Sequence, residues 1–232
     1  MLLLDAGNAL FGQPLADKTR GRVIVEAMNK LGYQALALGD RDLNRGVDIV
    51  NERSKEAKFP FLSANISLRD GNKPVAKPYT VVTVDGRKIA IIGLTDLTTT
   101  LSVNQQPTLI EQDPLTAARA AIESAKKEAS AIIVLSNLGQ AQENKLAAEV
   151  QGIAVIVGGG MGPRLPEPEI NDQTGTVIVR TMGNGEELGV CELTIDATGR
   201  AKDVRGQLIT LQVDQFAEDP DMVKLLDSFQ SD

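Results

Sequence analysis

The sequence predicts an α/β protein in which helices cover the faces of β-sheets. Short apolar runs of strand length alternate with helical stretches along most of the 232 residues. The core must be mainly aliphatic, because 42% of the residues are hydrophobic but only 3% are aromatic. A chain of this length buries a substantial core without disulfides. We therefore expect a single domain over residues 1–232.

The first half of the chain contains a predicted helix, buried strands and a hairpin. The predicted strands are residues 35–38, 59–65, 80–84 and 88–94. An apolar stripe predicts a helix over residues 18–31, with Gly32 at the position of a C-terminal capping glycine. Because Asp85-Gly86 stands between two strand-like runs, we expect a tight hairpin turn there.

The second half begins with helix–strand units and ends in strands. The predicted strands are residues 131–135, 153–157, 176–181, 188–195 and 204–211, and the later predicted helices are residues 142–150 and 220–229. Asp113 is a suitable N-cap and Pro114 a suitable first residue for a helix that reaches about residue 128. Turn signals such as Asn184-Gly185 indicate that the part beyond Pro163 is mainly β-structure.

Charge and apolar content argue against two classes of partner. The net charge of −7 disfavours broad attraction to nucleic-acid phosphates, so we expect no nucleic-acid partner. No apolar run approaches the roughly 20 residues that span a bilayer, so we expect no membrane span. Cys191 is the only cysteine in the sequence, which excludes an intrachain disulfide and suits a half-buried strand position.

Five segments carry the clearest pattern in the chain: residues 4–8 (LDAGN), 39–46 (GDRDLNRG), 59–66 (FPFLSANI), 132–139 (IIVLSNLG) and 155–162 (VIVGGGMG). In order and spacing they resemble the LDAGD, GNHEFDYG, FPxLxANI, IIVLSHLG and VIIGGHSH segments of the 5′-nucleotidase family, within the calcineurin-like metallophosphoesterases. The resemblance implies a four-layer α/β/β/α sandwich of two mixed sheets flanked by helices. It also implies that the loops after these strands converge at one end.

The same resemblance implies a site that has lost its metal ligands. The family uses two divalent cations held by carboxylate, imidazole and amide groups. The former ligand positions are Asn8, Asp40, Asn137, Gly160 and Gly162. Arg41 stands at the position of the catalytic histidine, and the sequence contains no histidine at all. We therefore expect a catalytically degenerate domain, a pseudoenzyme without a metal cofactor and without an identifiable catalytic residue.

Two other interpretations of the acidic and amide residues stay open. Oxygen atoms of Asp40, Asp42, Asn8 and Asn137 are the ligands that Mg²⁺ or Ca²⁺ prefers, so they are candidates for a rebuilt cation site. Alternatively, Asp40 and Asp42 cap a turn and Asn8 bonds local backbone. The second interpretation needs no ligand.

The residues that replace the histidines suggest an anion site. Backbone N–H groups of a glycine loop that includes Gly159 and Gly160 can cradle an anion. If the family fold holds, Arg41, Arg45 and Arg164 lie at neighbouring strand ends and offer guanidinium contacts to phosphate or carboxylate. The competing interpretation is that the glycines are what remains after selection on the site is relaxed and that the arginines are solvated.

Two classes of function follow. The first is a non-enzymatic binding or interaction module for an unknown protein partner or a small anionic ligand, in the periplasm or outside the cell by resemblance to the family. The alternative is a divergent phosphoesterase or nucleotidase that hydrolyses a phosphate ester at a reorganised site. We also expect that the family's first strand lies upstream of residue 1 and that its C-terminal nucleotide-recognition domain is absent from this chain.

Overall fold

The structure is a computed structural model that describes residues 1–97, 108–181, 183–212 and 214–230. The strands in these ranges are β1 (Leu4–Asp5), β2 (Ala35–Ala37), β3 (Phe61–Leu62), β4 (Ile66–Leu68), β5 (Tyr79–Val84), β6 (Arg87–Thr95), β7 (Leu109–Glu111), β8 (Ala131–Asn137), β9 (Val155–Gly158), β10 (Glu169–Ile170), β11 (Val177–Arg180), β12 (Glu187–Ile195) and β13 (Ala201–Thr210). The helices are α1 (Pro14–Lys18), α2 (Arg22–Leu31), α3 (Asp40–Leu43), α4 (Val47–Glu56), α5 (Pro114–Ala125), α6 (Gln140–Glu149) and α7 (Pro220–Gln230).

Two sheets packed face to face form the centre of the fold. The larger sheet has the strand order β10-β11-β9-β8-β6-β5, with parallel strands in the middle and antiparallel strands at both edges. The smaller sheet consists of the parallel strands β1-β2-β3. Ala35 and Leu62 of the smaller sheet pack against Ile91 and Leu135 of the larger one. Two antiparallel ribbons, β4–β7 and β12–β13, complete the β-structure of the described residues.

Helices cover the outer faces of both sheets. Leu115 of α5 and Leu146 of α6 belong to the core under the larger sheet, together with Ile92. Val25 of α2 and Val50 of α4 belong to the core under the smaller sheet. The predicted four-layer α/β/β/α arrangement is therefore confirmed. No helix in the described ranges has both the length and the apolar content needed to cross a bilayer.

The helix predicted over residues 18–31 begins later than predicted, at Arg22, and Lys18 ends a separate short helix. α1 ends at Lys18 and α2 begins at Arg22, because Arg20 and Gly21 have left-handed backbone with φ of 51° and 79°. The hydroxyl of Thr19 donates to the carbonyl of Leu15 at 2.8 Å and helps to end the first helix. The end of α2 is as predicted, since Gly32 caps it in the left-handed conformation with φ of 78°.

A buried polar network joins the two sheets. The Thr95 hydroxyl, at the end of β6, donates to the carbonyl of Leu38 at 2.7 Å and lies 2.9 Å from the Ser63 hydroxyl. The Asn65 side chain bonds the backbone of Thr95 twice, accepting from its N–H at 2.9 Å and donating to its carbonyl at 2.6 Å. These contacts hold the end of β6 against the strands of the smaller sheet.

The carboxyl ends of the parallel strands lie at one end of the sandwich. Thr95 is paired in register with Asn137, and Ser136 with Gly158. In the smaller sheet, β1 leads into Ala6 and β2 leads into the turn that opens α3. Parallel strands of open α/β sheets present their ligand-binding loops at this end.

Candidate functional site

Asp42 fastens the loop after β1 to the turn that opens α3. Its Oδ2 accepts the N–H of Asn8 at 2.8 Å and that of Gly39 at 2.9 Å. Its Oδ1 accepts the N–H of Leu10 at 2.9 Å. The side chain is fully buried, and both carboxylate oxygens are bonded to backbone amides. The turn-capping interpretation therefore describes Asp42, and these bonds leave its oxygens poorly placed to hold a cation.

Burial raises the pKa of Asp42 to about 6, against the lowering effect of the amides of Gly39, Leu10 and Asn8. The nearby Asp5 carboxylate raises it further. Burial also raises the pKa of Asp5 to about 6, although Asp5 accepts the N–H of Gly7 at 2.9 Å, which lowers it. The base of the site thus holds two carboxyl groups that resist ionisation.

Asn8 and Asp40 meet at the centre of the site. The amide nitrogen of Asn8 donates to Oδ1 of Asp40 at 3.0 Å, and Oδ1 of Asn8 accepts the N–H of Arg41 at 2.9 Å. Asn8 has left-handed backbone with φ of 64°, and a side chain at Gly39 would collide with its amide group. Asp40 is 1% exposed.

Asn137 connects the larger sheet to the same loop. Its amide nitrogen donates to the carbonyl of Ala6 at 3.2 Å, and its side chain is buried. A side chain on Gly7 would lie 3.0 Å from that nitrogen. Because β8 and β1 belong to different sheets, this contact closes the end of the sandwich around residues 6–8.

The glycine loop after β9 lies against these residues. The N–H of Gly159 donates to the carbonyl of Ser136 at 2.8 Å, and an added Cβ at Gly159 would be 2.5 Å from the carbonyl oxygen of Ala6. An added Cβ at Gly160 would be 2.5 Å from the nitrogen of Gly139. The structure thus brings Asn8, Asp40, Arg41, Asn137, Gly159 and Gly160 together at one end, with Gly162 in the same loop.

The three arginines proposed for an anion site differ in their surroundings. Arg45 forms an ion pair with Asp17 at 3.0 Å and lies over the ring of Phe11. Arg164 is paired with Glu187. Arg41 is exposed, and its guanidinium takes part in no ion pair within the described part of the chain.

Sequence reasoning missed a buried ion pair beneath the glycine loop. Arg180, the last residue of β11, is paired with Glu143 in the first turn of α6, and the two side chains are 2% and 0% exposed. The Arg180 guanidinium also donates to the carbonyl of Gly160 at 2.5 Å. Burial raises the pKa of Glu143, while the positive charge of Arg180 lowers it. The signal in the sequence was an arginine ending the apolar run VIVR.

The residues at the former ligand positions do not fit a two-cation centre. They supply two amides, one carboxylate and two glycines without side chains, and both polar atoms of the Asn8 amide are already bonded within the protein. The part of the chain that the structure describes contains no group of three or more acidic, cysteine or histidine side chains arranged to hold a metal ion. A bridging carboxylate in particular is missing, because Asn8 is neutral.

The layer order and the position of the site define the fold class of the calcineurin-like phosphoesterases. No family model matches the sequence. The 5′-nucleotidase precursor of Thermus thermophilus superimposes with a TM-score of 0.88 and 30% identity over 99% of this chain and 49% of that one. The chain belongs to the 5′-nucleotidase family.

Two further relatives show how much of a family member the chain represents. YfkN of Bacillus subtilis, described as a calcineurin-like phosphoesterase, superimposes with a TM-score of 0.83 and 23% identity over 99% of this chain and 83% of that one. The snake venom 5′-nucleotidase of Naja atra is 30% identical over 95% of this chain and 46% of its own length. The chain spans less than half the length of the curated relatives it matches.

Proposed function

We propose that this domain is a non-catalytic member of the 5′-nucleotidase family that acts as a binding module. One observation carries the proposal: polar groups at the former ligand positions bond to one another and to local backbone. Asn8 is bonded to Asp40 and to the N–H of Arg41, and Asn137 is bonded to Ala6. Binding a cation there requires breaking these contacts with few charged ligands to replace them.

The ligand we propose is a small anion that contacts Arg41. Its guanidinium is exposed, while its backbone N–H is fixed to Asn8 at 2.9 Å. A planar guanidinium binds phosphate or carboxylate through two parallel hydrogen bonds. Gly159 is also exposed and lies beside Ala6, so part of the glycine loop reaches the surface next to the Asn8 loop.

Titration calorimetry with inorganic phosphate and with AMP tests this proposal. Arg41→Ala should weaken binding at least about tenfold, the loss typical of a charge-assisted contact. Arg200→Ala is the matched control, because Arg200 is also exposed but lies in the turn between β12 and β13. Absence of binding to both compounds, or equal affinity in wild type and Arg41→Ala, would refute the anion site.

Hydrolysis of a phosphate ester at a reorganised site is the second candidate. It is favoured by membership of the family and by the meeting of the Asp40 carboxylate with the Asn8 amide at 3.0 Å. Metal content measured by mass spectrometry, with turnover of nucleotides in Mn²⁺, Zn²⁺, Mg²⁺ and Ca²⁺, separates the two functions. Stoichiometric metal with turnover that Asp40→Ala abolishes would replace the binding-module proposal.

We further propose that the domain acts in the periplasm or outside the cell. The support is family membership, and one relative is named a snake venom protein. Fractionation of cells that express the complete native gene tests this placement. Recovery of the protein only from the cytoplasm would contradict it.

A further inference from the structure

The Glu143–Arg180 pair lies where α6, β11 and the glycine loop meet. Arg180 ends the strand that is paired with β9, in register with Gly158, and Glu143 lies one turn into the helix that follows Asn137. The pair therefore lies between the two chain segments that frame the loop over residues 158–162. Both charged side chains are buried, with exposures of 2% for Arg180 and 0% for Glu143.

The pair occupies the space that side chains on the loop would need. An added Cβ at Gly158 would lie 2.6 Å from Oε2 of Glu143 and 2.8 Å from a terminal nitrogen of Arg180. An added Cβ at Gly162 would lie 3.1 Å from the Cζ atom of Arg180. Real Cβ atoms do not approach other atoms as closely as these distances at Gly158. Only glycine therefore fits at position 158 while the ion pair is in place.

The guanidinium also holds the loop directly. Arg180 donates to the carbonyl of Gly160 at 2.5 Å, and the loop is further tied by the bond from the Gln140 N–H to the Met161 carbonyl at 2.9 Å. Both side chains of the pair are buried, so the cost of removing two charges from water offsets much of their attraction. The pair therefore contributes little net stability, and its role lies in fixing the local structure.

We propose that the Arg180 guanidinium is the built-in cation of this site: paired with Glu143, it holds the glycine loop closed in place of a bound metal ion. Gly158 is then a glycine because the ion pair fills the space beside it. Relaxed selection is not needed to explain this glycine. This inference stands apart from the anion site at Arg41, since it depends only on contacts beneath the loop.

Comparing Gly158→Ala with and without the ion pair tests whether the pair occupies the space beside Gly158. Gly158→Ala should lower the melting temperature of the otherwise native protein by about 10 °C. In the background Glu143→Ala/Arg180→Ala, which removes both charges and opens the space, the same change should lower it by less than about 3 °C. Gly183→Ala is the control, because an added Cβ there has no neighbour within 4 Å among the residues that the structure describes. Equal losses in both backgrounds, or no loss in the native one, overturn the inference.

Hydrogen exchange tests the loop-closing part without a truncation. Glu143→Gln keeps the shape of the side chain but removes the charge, so amides of residues 158–162 should exchange at least about tenfold faster than in wild type. Arg164→Met, which breaks the pair between the exposed Arg164 and the Glu187 carboxylate, should leave these amides unchanged. Unchanged exchange in Glu143→Gln contradicts the proposal.

Chelation provides the third readout. If the ion pair holds the loop, EDTA should change neither the melting temperature nor the exchange of residues 158–162 in protein purified without chelators. A fall in the melting temperature or faster exchange after EDTA, restored by Mn²⁺ or Zn²⁺, would show that a metal ion holds the loop and would overturn the inference. Phosphate binding at Arg41 is measured separately, so failure of one proposal is distinguishable from failure of the other.

Discussion

Asn8 and Asp40 are joined side chain to side chain, with the amide nitrogen of Asn8 donating to Oδ1 of Asp40 at 3.0 Å. By resemblance to the family, a carboxylate is expected at the first position and an amide at the second. Here the amide and the carboxylate have exchanged places. The exchange keeps one negative charge in the pair and allows the two side chains to bond each other without a cation between them.

Asn8→Asp should therefore destabilise the protein at neutral pH. The change places two carboxylates about 3 Å apart in a largely buried pair, and their repulsion should cost about 1–3 kcal/mol. Urea denaturation at pH 7 and pH 4 measures the effect, which should shrink at pH 4 as one group takes up a proton. A variant as stable as wild type at pH 7 without added cation would contradict this prediction. Asn8→Ser is the uncharged control.

Asp42→Asn should destabilise the domain strongly. The new amide can turn only one oxygen toward the three backbone N–H groups that Asp42 accepts, so at least one buried donor loses its acceptor. We expect a loss of about 2–4 kcal/mol in the free energy of unfolding, measured by urea denaturation at pH 4. Asp172→Asn, at an exposed turn, is the matched control and should be neutral.

The stability gap between wild type and Asp42→Asn should narrow as the pH rises from 4 to 7. Burial raises the pKa of Asp42 from 3.8 to about 6, so the folded protein binds more protons than the unfolded chain in this interval. Its contribution is fully present below pH about 4 and is lost as the pH passes about 6, with a magnitude of about 3 kcal/mol. Denaturation curves across this range measure it, and a gap that widens with pH would contradict the assignment.

Asn137→Ala should cost about 1–2 kcal/mol, because it removes the buried bond to the Ala6 carbonyl and leaves that oxygen without its donor. Thermal unfolding with Gln151→Ala as an exposed control measures the loss. If Asn137→Ala left the stability unchanged, the bond from Asn137 to Ala6 would not be needed to hold the two sheets together at the site.

Much of the fold could be predicted, because the spacing of apolar residues marks many of the strands and helices and the turn and capping residues mark where several of them end. Asp85-Gly86 closes the β5–β6 hairpin, and Asp113 caps α5 by accepting the N–H of Thr116 at 2.8 Å. The helix α4 was missed because only Val50 and Arg53 of its ten residues are buried, so it has little apolar stripe. The break at Arg20 was missed because a non-glycine residue with φ of 51° leaves no mark in an apolar pattern.

The candidate site was predictable as a set of positions but not as a set of contacts. Segments such as residues 4–8 and 155–162 marked which loops meet, since their order resembled a known family. The bonds that join the Asn8 loop to Asp40 and Asp42 could not be predicted, because they join residues more than 30 positions apart. Glu143 and Arg180, separated by 37 positions, carried no joint signal in the sequence.

The contacts of Thr95 also determine how the two halves of the site can move. Packing of apolar faces resists separation of the two sheets but lets one sheet slide over the other. The hydrogen bonds from Thr95 to Leu38 and Asn65 are directional and therefore oppose such sliding. The loop with Asn8 and the loop with Asn137 are therefore held at a fixed relative position, in direct contact through the bond from Asn137 to the Ala6 carbonyl. A ligand at this end of the sandwich must fit the surface as it stands, because moving the loops apart breaks buried polar bonds.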